Sequence, residues 1–461
     1  MTITPPTTRR PSLQPNVPGR GITASYGLRF WALVVLVGLG AGVGGAALME
    51  LLHAVQHLAW GYHIGTFLEG VKGAPDSTRV LVPLIGGIIA GTMGLALAGR
   101  SGGGEVSEAI WLPGARVPFF TNLVRAAYSM VIVALGASLG REAAPQRAGA
   151  AVASALADWA SLPQWQRRLL VASGAGAGMA AVYNVPLGGA LFALEVLLGT
   201  LALPLVLPAL ATSLIATAVA WIALPTAPTY SIPSYGVSAS QIVWALLVGP
   251  IAGLAAIAWI RLIGLTHALR PSGWKRLLAP VVVFSALGAV AIAYPQILGN
   301  GKNIVQLAFV AQLGVGLIAV LLVLKPLATA ACLGSGAPGG LFTPTLAYGV
   351  LLGGLLGKAW SEIWPGAPLG SYAIIGGAAV LGASMQGPLA AVVLLLELTH
   401  RADALMVPIL LATVEATVLA RLLRAPSIYS ARLSAAAEQA ATLTEDEDLQ
   451  TWLALPRAGN T

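Results

Sequence analysis

Charge is scarce in this sequence: Asp, Glu, Lys and Arg make up 9% of its 461 residues, against 57% hydrophobic residues and a mean hydropathy of +0.82. A soluble protein so apolar could not cover its own surface, which leaves a polytopic membrane protein. Cysteine is scarcer still. Cys332 stands alone, which excludes an intrachain disulfide and a cysteine metal cluster; it reads as a small buried residue. Acidic side chains are outnumbered and the formal net charge is +8. The basic residues nonetheless sit mostly at the ends of apolar runs, where the positive-inside rule puts them, so nucleic acid is not the partner. Residues 1–25 lack the apolar core and small-residue cleavage site of a signal peptide and read as a solvated tail.

Long apolar runs are what the chain has in abundance. Phe30–Met49, Val80–Ala98 and Val243–Ile260 are each about long enough to cross a bilayer, and the fold class they imply is all-α. Arg9, Arg10, Arg20 and Arg29 precede the first span, and Arg421, Arg424 and Arg432 follow the last, so both termini are expected in the cytoplasm. Residues 223–241 carry three prolines and no Lys or Arg, as an external connector would. The chain therefore divides into a basic N-terminal tail (1–27), a first transmembrane repeat (28–222), the connector (223–241), a second repeat (242–433) and a short acidic tail (434–461). Within this apolar background Lys325 needs a carbonyl or carboxylate partner. His53 and His57 share a helical face with Glu50 one turn earlier, but no third strong metal ligand is evident. An intramembrane enzyme would have to be built on that histidine pair, so an enzyme is not expected.

The stretch around which the chain is organised is 136–149, GASLGREAAPQRAG. It places Glu142 between Arg141 and a helix start, in apolar surroundings. Burial there disfavours the charged form, whereas Arg141 and the free amides of a helix N-terminus favour it. Such a group changes protonation state with small changes around it, and an ionisable group within the membrane is a functional candidate by default. The plainer alternative is a cap on its own helix paired with Arg141.

The sequence also repeats itself. Asn184-Val-Pro-Leu-Gly-Gly-Ala-Leu-Phe-Ala-Leu-Glu195 returns as Gln386-Gly-Pro-Leu-Ala-Ala-Val-Val-Leu-Leu-Leu-Glu397, an offset of 202. Gly140-Arg-Glu-Ala-Ala falls on Gly340-Leu-Phe-Thr-Pro with Gly149 on Gly349, an offset of 200. Val37-Gly38 and Ala41-Gly42 match Val248-Gly249 and Ala252-Gly253. With both termini on one side and the connector on the other, the halves have opposite orientations, an arrangement in which transporters place substrate at broken helices near the midplane. Breaks at 99–105, 140–145 and 336–344 would aim helix N-termini at one point. Their dipole ends and free amides make an anion site out of partial charges rather than buried Lys or Arg, so an anion binds yet leaves quickly.

These breaks resemble the signature motifs of the CLC family of chloride channels and chloride/proton antiporters, over about residues 28–440. Ser101-Gly102 with Glu105 is similar to the family's Gly-Ser-Gly-Ile-Pro-Glu, and Gly140-Arg141-Glu142 to Gly-Lys/Arg-Glu-Gly-Pro. Gly336-Ala-Pro-Gly-Gly-Leu-Phe-Thr-Pro344 resembles the Gly-x-Phe-x-Pro region, and Ile428-Tyr429-Ser430 the segment that supplies a pore tyrosine. The resemblance implies two inverted repeats of tilted, broken helices, one anion pore per subunit and a homodimer in the plasma (inner) membrane, surrounded by lipid. It implies no cofactor. It puts a central chloride on the hydroxyls of Ser101 and Tyr429 and the amides of Leu341 and Phe342. An outer site would use the amides around Arg141–Ala143 and Phe342–Thr343, with Glu142 as the gate that mimics the anion when ionised and swings away when protonated.

Three departures bear on function. Arg100, Gly103 and Gly104 alter the first motif; Ala143-Ala144 replace Gly-Pro after the gate; and Val196 stands directly after Glu195, where antiporters of the family often carry an internal proton-accepting Glu. Valine carries no proton. The expectation is therefore glutamate-gated chloride transport, passive or weakly proton-coupled. The alternative is chloride/proton antiport in which Glu142 exchanges protons through water.

Overall fold

The computed structural model describes residues 26–98, 106–112 and 116–432, and every regular element in them is helical. The first half contains α1 (Leu28–Trp60), α2 (Phe67–Gly73), α3 (Asp76–Ala96), α4 (Val106–Trp111) and α5 (Phe119–Ala134). It continues with α6 (Ala143–Trp159), α7 (Gln164–Tyr183), α8 (Pro186–Leu191), a π-helical turn (Phe192–Leu197) and α9 (Leu203–Ala220). The second half contains α10 (Ala239–Ala268), α11 (Lys275–Ala293), α12 (Lys302–Phe309) and α13 (Val315–Gly334). It ends with α14 (Phe342–Ile363), α15 (Leu369–Met385), α16 (Pro388–Thr399) and α17 (Met406–Leu422). Seven helices among the described residues are long and apolar enough to cross a membrane. The 33 residues of α1 rise about 50 Å, more than the hydrocarbon thickness, so it crosses tilted or projects.

The helix breaks follow from local chemistry. Asn184 closes α7 in the left-handed conformation (φ 57°), and Pro186 opens α8 at a position where its missing N–H costs nothing. Gln386 (φ 58°) and Pro388 do the same between α15 and α16. The sequence foresaw these stops. The sequence patterns noted above do not mark α2, whose start is a capping box between Thr66 and Glu69.

Small residues set the helix crossings. A Cβ on Gly149 of α6 would lie 2.0 Å from the carbonyl oxygen of Gly174 in α7, and one on Gly349 of α14 would lie 2.9 Å from that of Gly376 in α15. Backbones approach this closely only where side chains are absent, which is how helices attract one another in lipid. Along the same lines, Gly42 of α1 abuts the Ala216 carbonyl of α9, and Gly253 of α10 abuts the Ala416 carbonyl of α17. The sequence repeats thus coincide with repeated contacts. Two further reciprocal pairs tie the halves together. Glu195 accepts from the Leu389 and Ala390 amides (3.3 and 2.6 Å), while Glu397 accepts from the Leu187 and Gly188 amides (3.0 and 2.6 Å). Each carboxylate satisfies the orphan donors that begin the other half's broken helix.

Candidate anion-binding site

Gly140 and Gly340 meet in a two-way backbone bridge, each amide donating to the other's carbonyl at 2.7 and 2.8 Å. That bridge brings the starts of α6 and α14 side by side and sets Glu142 against the N-terminus of α14. A Cβ at either neighbouring glycine would overlap the Glu142 carboxylate, which therefore keeps this place only while both positions lack side chains.

Glu142 is 1% exposed and occupies the N-cap position of α6 without capping it. Its carboxylate reaches the other half, where Oε1 accepts from the Phe342 amide at 2.6 Å; Oε2 lies by the hydroxyl of Thr343 in that half (3.4 Å) and accepts from Tyr183 Oη, at the end of α7 in its own half, at 3.2 Å. Tyr183 Oη and Thr343 Oγ1 also pair at 2.8 Å. Among the described residues no ion pair joins Glu142 to Arg141; the Arg141 guanidinium stacks over the Tyr183 ring, 4.8 Å from its centroid. The plain reading of Glu142 as a cap on its own helix paired with Arg141 is thereby corrected. This buried carboxylate is held by the Phe342 amide of the other half and by the paired Tyr183 and Thr343 hydroxyls, groups that an anion could equally use.

Two cavities lie near this residue, one bordered by Arg141 and the other by Glu142 itself. Arg141 forms part of the wall of a cavity of about 770 Å³ that also takes in Glu50, His53, His57, Lys302, Asn303 and Gln306. The histidine pair therefore faces an open polar vestibule, with ring centroids 6.5 Å apart. A small cavity of about 30 Å³ is bounded by Glu142, Ala143, Leu341 and Tyr429, together with Ser107, Gln146, Arg147, Leu197 and Arg432. Tyr429 is placed there by the Ile428 amide donating to the Ser384 carbonyl at 2.7 Å and by an edge contact of its ring with Phe192.

The structure thus gathers Glu142, Ala143, Leu341, Phe342, Thr343 and Tyr429 around one point, with Arg141 on the vestibule side. Ser101 lies outside the described residues; the serine that borders the small cavity is Ser107, on α4. Glu195 turns to the α16 amides, and Val196 packs where a Cβ on Gly387 would lie 2.7 Å away. Leu197, two residues after Glu195, is the π-turn residue that reaches the cavity.

Three contributors escaped the sequence reading. Tyr183 ends a Gly/Ala-rich helix and gave no signal beyond its position just before the Asn-Val-Pro break. Arg147 and Arg432 border the small cavity, which corrects the expectation of a site without full positive charges. Arg147 was legible in principle, being one and a half turns into α6 from the gate. Lys325 found the carbonyl partners it needed: it is fully buried and donates to Ile297 O, Gly299 O and Ser138 Oγ at 3.0, 2.6 and 2.8 Å, fixing the segment that leads to Glu142.

Comparison with known proteins gives this architecture its family. The model of a family described as "Voltage gated chloride channel" matches residues 97–421. A ClcB-like chloride channel protein of Ralstonia nicotianae is 32% identical over 415 residues, covering 87% of this chain and 96% of its own. The voltage-gated ClC-type chloride channel ClcB of Salmonella typhimurium is 30% identical over 412 residues, covering 86% and 97%. Among solved structures, a slow cyanobacterial Cl⁻/H⁺ antiporter superposes with a TM-score of 0.79 at 20% identity over 91% of this chain and all of its own. A eukaryotic CLC transporter does so with 0.69 at 17% identity, over 88% and 73%. With the family model matched over most of its length and curated relatives aligned nearly end to end, this chain belongs to the voltage-gated chloride channel (CLC) family.

Proposed function

We propose that the chain carries chloride across the membrane past Glu142, with the carboxylate as gate. The observation that carries this reading is the 2.6 Å contact between Glu142 Oε1 and the Phe342 amide. An ionised carboxylate on that amide excludes an anion from it. Protonation removes the charge that the helix end favours and frees the site. Chloride then passes between the vestibule at Arg141, the amides of Ala143, Leu341, Phe342 and Thr343, and the hydroxyls of Tyr429 and Ser101.

Transport is passive or weakly proton-coupled, because Val196 offers no titratable relay and the Glu195 carboxylate is engaged with the α16 amides. A second reading, chloride/proton antiport with protons reaching Glu142 through water, draws on the polar vestibule that extends to Arg141. The two halves lie inverted in a plasma membrane with both termini inside. Two subunits associate through the apolar faces of α9 and α17, where exposed Leu207 and Leu214 correspond in the repeat to exposed Val407 and Val414. In liposomes under a chloride gradient with pH recorded, chloride should leave with little proton uptake. A robust, fixed-ratio uphill proton movement abolished by Glu142→Gln would make the protein an antiporter.

A further inference from the structure

Glu415 stands inside α17, a helix long and apolar enough to cross a membrane, about 10 Å short of its nearer end at Leu422. Val414 and Val418 beside it are exposed, whereas Thr413 and Ala416 are buried, so it lies at the edge between the outer and the packed face of the helix. Its carboxylate turns inward, to α10. A Cβ on Gly249 would lie 2.8 Å from the Glu415 Cβ and would overlap Oε2. That oxygen is shut off from the surroundings and accepts no hydrogen bond. Among the described residues no cation forms an ion pair with it.

The internal repeat shows what packing alone requires at this place. Gly38 of α1 corresponds to Gly249, and Ile215 of α9 to Glu415; there too a Cβ on the glycine would lie 2.8 Å from the Cβ of the facing residue. Both halves thus build one crossing, a glycine under a side chain, and isoleucine suffices for it. The second half puts an ionisable group of similar bulk there instead. An ionised carboxylate with neither donor nor cation is strongly disfavoured in an apolar span, whereas the acid form is a small neutral group.

The charged and titratable groups on the elements packed against α17 are engaged elsewhere or remote. On α10, Arg261 and His267 come twelve or more residues after Gly249; Tyr372 of α15 pairs with Ser240, and Glu397 of α16 accepts from the α8 amides. Asp403, in the turn before α17, is twelve residues from Glu415, and Arg421 of α17 itself donates to Gln386. None of these charges acts on Glu415.

We propose that Glu415 is a proton-binding site separate from Glu142, held as the acid in the folded protein, and that its ionisation loosens the crossing of α10 and α17. A charge formed there draws water into the seam, and the close approach at Gly249 is lost. The site does not rest on the reading of Glu142 as a gate.

The test treats the full-length protein in detergent with a hydrophobic carbodiimide, which adds to a protonated carboxyl group and passes over ionised ones. At neutral pH, peptide mass mapping should find the adduct on Glu415 at a level about tenfold or more above that on the exposed Glu50 and Glu362, and fading as pH is raised. The folded chain holds a proton that the unfolded chain, its carboxyl group in water, releases, so stability falls as pH rises. From mildly acidic to alkaline pH the melting temperature of the unmodified chain should therefore drop relative to Glu415→Gln and to Glu415→Ile, the latter copying the first half. No adduct on Glu415, or one as strong in alkaline as in acidic solution, overturns the proton site. Melting differences among the three chains that are the same at every pH overturn the loosening.

Discussion

The two halves of the chain make the same contacts wherever the task is to hold the bundle together, and differ around Glu142. Gly149 against Gly174 matches Gly349 against Gly376, Glu195 on the α16 amides matches Glu397 on the α8 amides, and Gly140 bridges Gly340 symmetrically. At the next aligned pair the symmetry fails. Glu142 falls on Phe342, so one half supplies a carboxylate and the other the amide that receives it. Likewise Tyr183, which donates to that carboxylate, falls on Met385, and Arg147 falls on Ala347. A duplicated scaffold thus gives two matching helix ends at the centre, and single-sided substitutions put a carboxylate on one and leave the other to receive it.

Substitutions can separate scaffold from gate, beginning with the tightest crossing. Gly149→Ala places a methyl group 2.0 Å from the Gly174 carbonyl, whereas Gly349→Ala has 2.9 Å to the Gly376 carbonyl. Overpacking of this kind costs about 1–3 kcal/mol and more when backbone must move. Thermal unfolding in detergent is expected to show Gly149→Ala as the more damaging of the pair, to the point of lost expression. Equal effects would break the inference that the first-half crossing is the closer one.

The reciprocal caps come next. Removing either carboxylate leaves two helix-end amides, one part-buried and one exposed, without their partner, at about 0.5–1.5 kcal/mol for each bond lost. Glu195→Ala and Glu397→Ala should therefore lower the melting temperature by similar amounts, with Glu195→Gln milder. A Glu195 variant that kept full stability but lost proton movement would instead assign that residue to the transport route.

Smaller effects belong to the asymmetric groups. Tyr183→Phe removes the hydrogen bond to the Glu142 carboxylate, worth about 1.5–3 kcal/mol in such a setting, together with the pairing to Thr343 Oγ1, and keeps the ring under Arg141. Glu142 would be held less firmly on the Phe342 amide, and chloride flux at neutral pH is expected to rise with stability little changed. Tyr429→Phe acts on the anion instead. It should weaken calorimetric chloride affinity or blur the preference for chloride over nitrate, by no more than that amount since water can substitute.

The scaffold was largely legible because its signals are local. An Asn-x-Pro or Gln-x-Pro break, a Gly-rich crossing and a repeated Pro-Leu frame are each written within a dozen residues. Glu142 itself was legible too, since a lone Glu in apolar sequence is costly and therefore conspicuous. What surrounds it was not. Tyr183 reaches Glu142 and Thr343 across 41 and 160 residues of sequence, and no periodicity encodes such a contact. Arg432 reads locally as one more basic residue after the last span, and only the folded chain brings it to the cavity beside Tyr429.

The central claim is that the Glu142 carboxylate and the transported anion compete for the Phe342 amide. Chloride flux through reconstituted protein, measured from neutral to acidic external pH in the unmodified chain and in Glu142→Gln, tests it most directly. The account predicts flux that rises as pH falls in the unmodified protein, because protonation removes the competing charge. It predicts high flux with little pH dependence in Glu142→Gln, whose neutral amide cannot mimic an anion. Flux in Glu142→Gln that stays low, or that keeps the pH dependence of the unmodified protein, would contradict it.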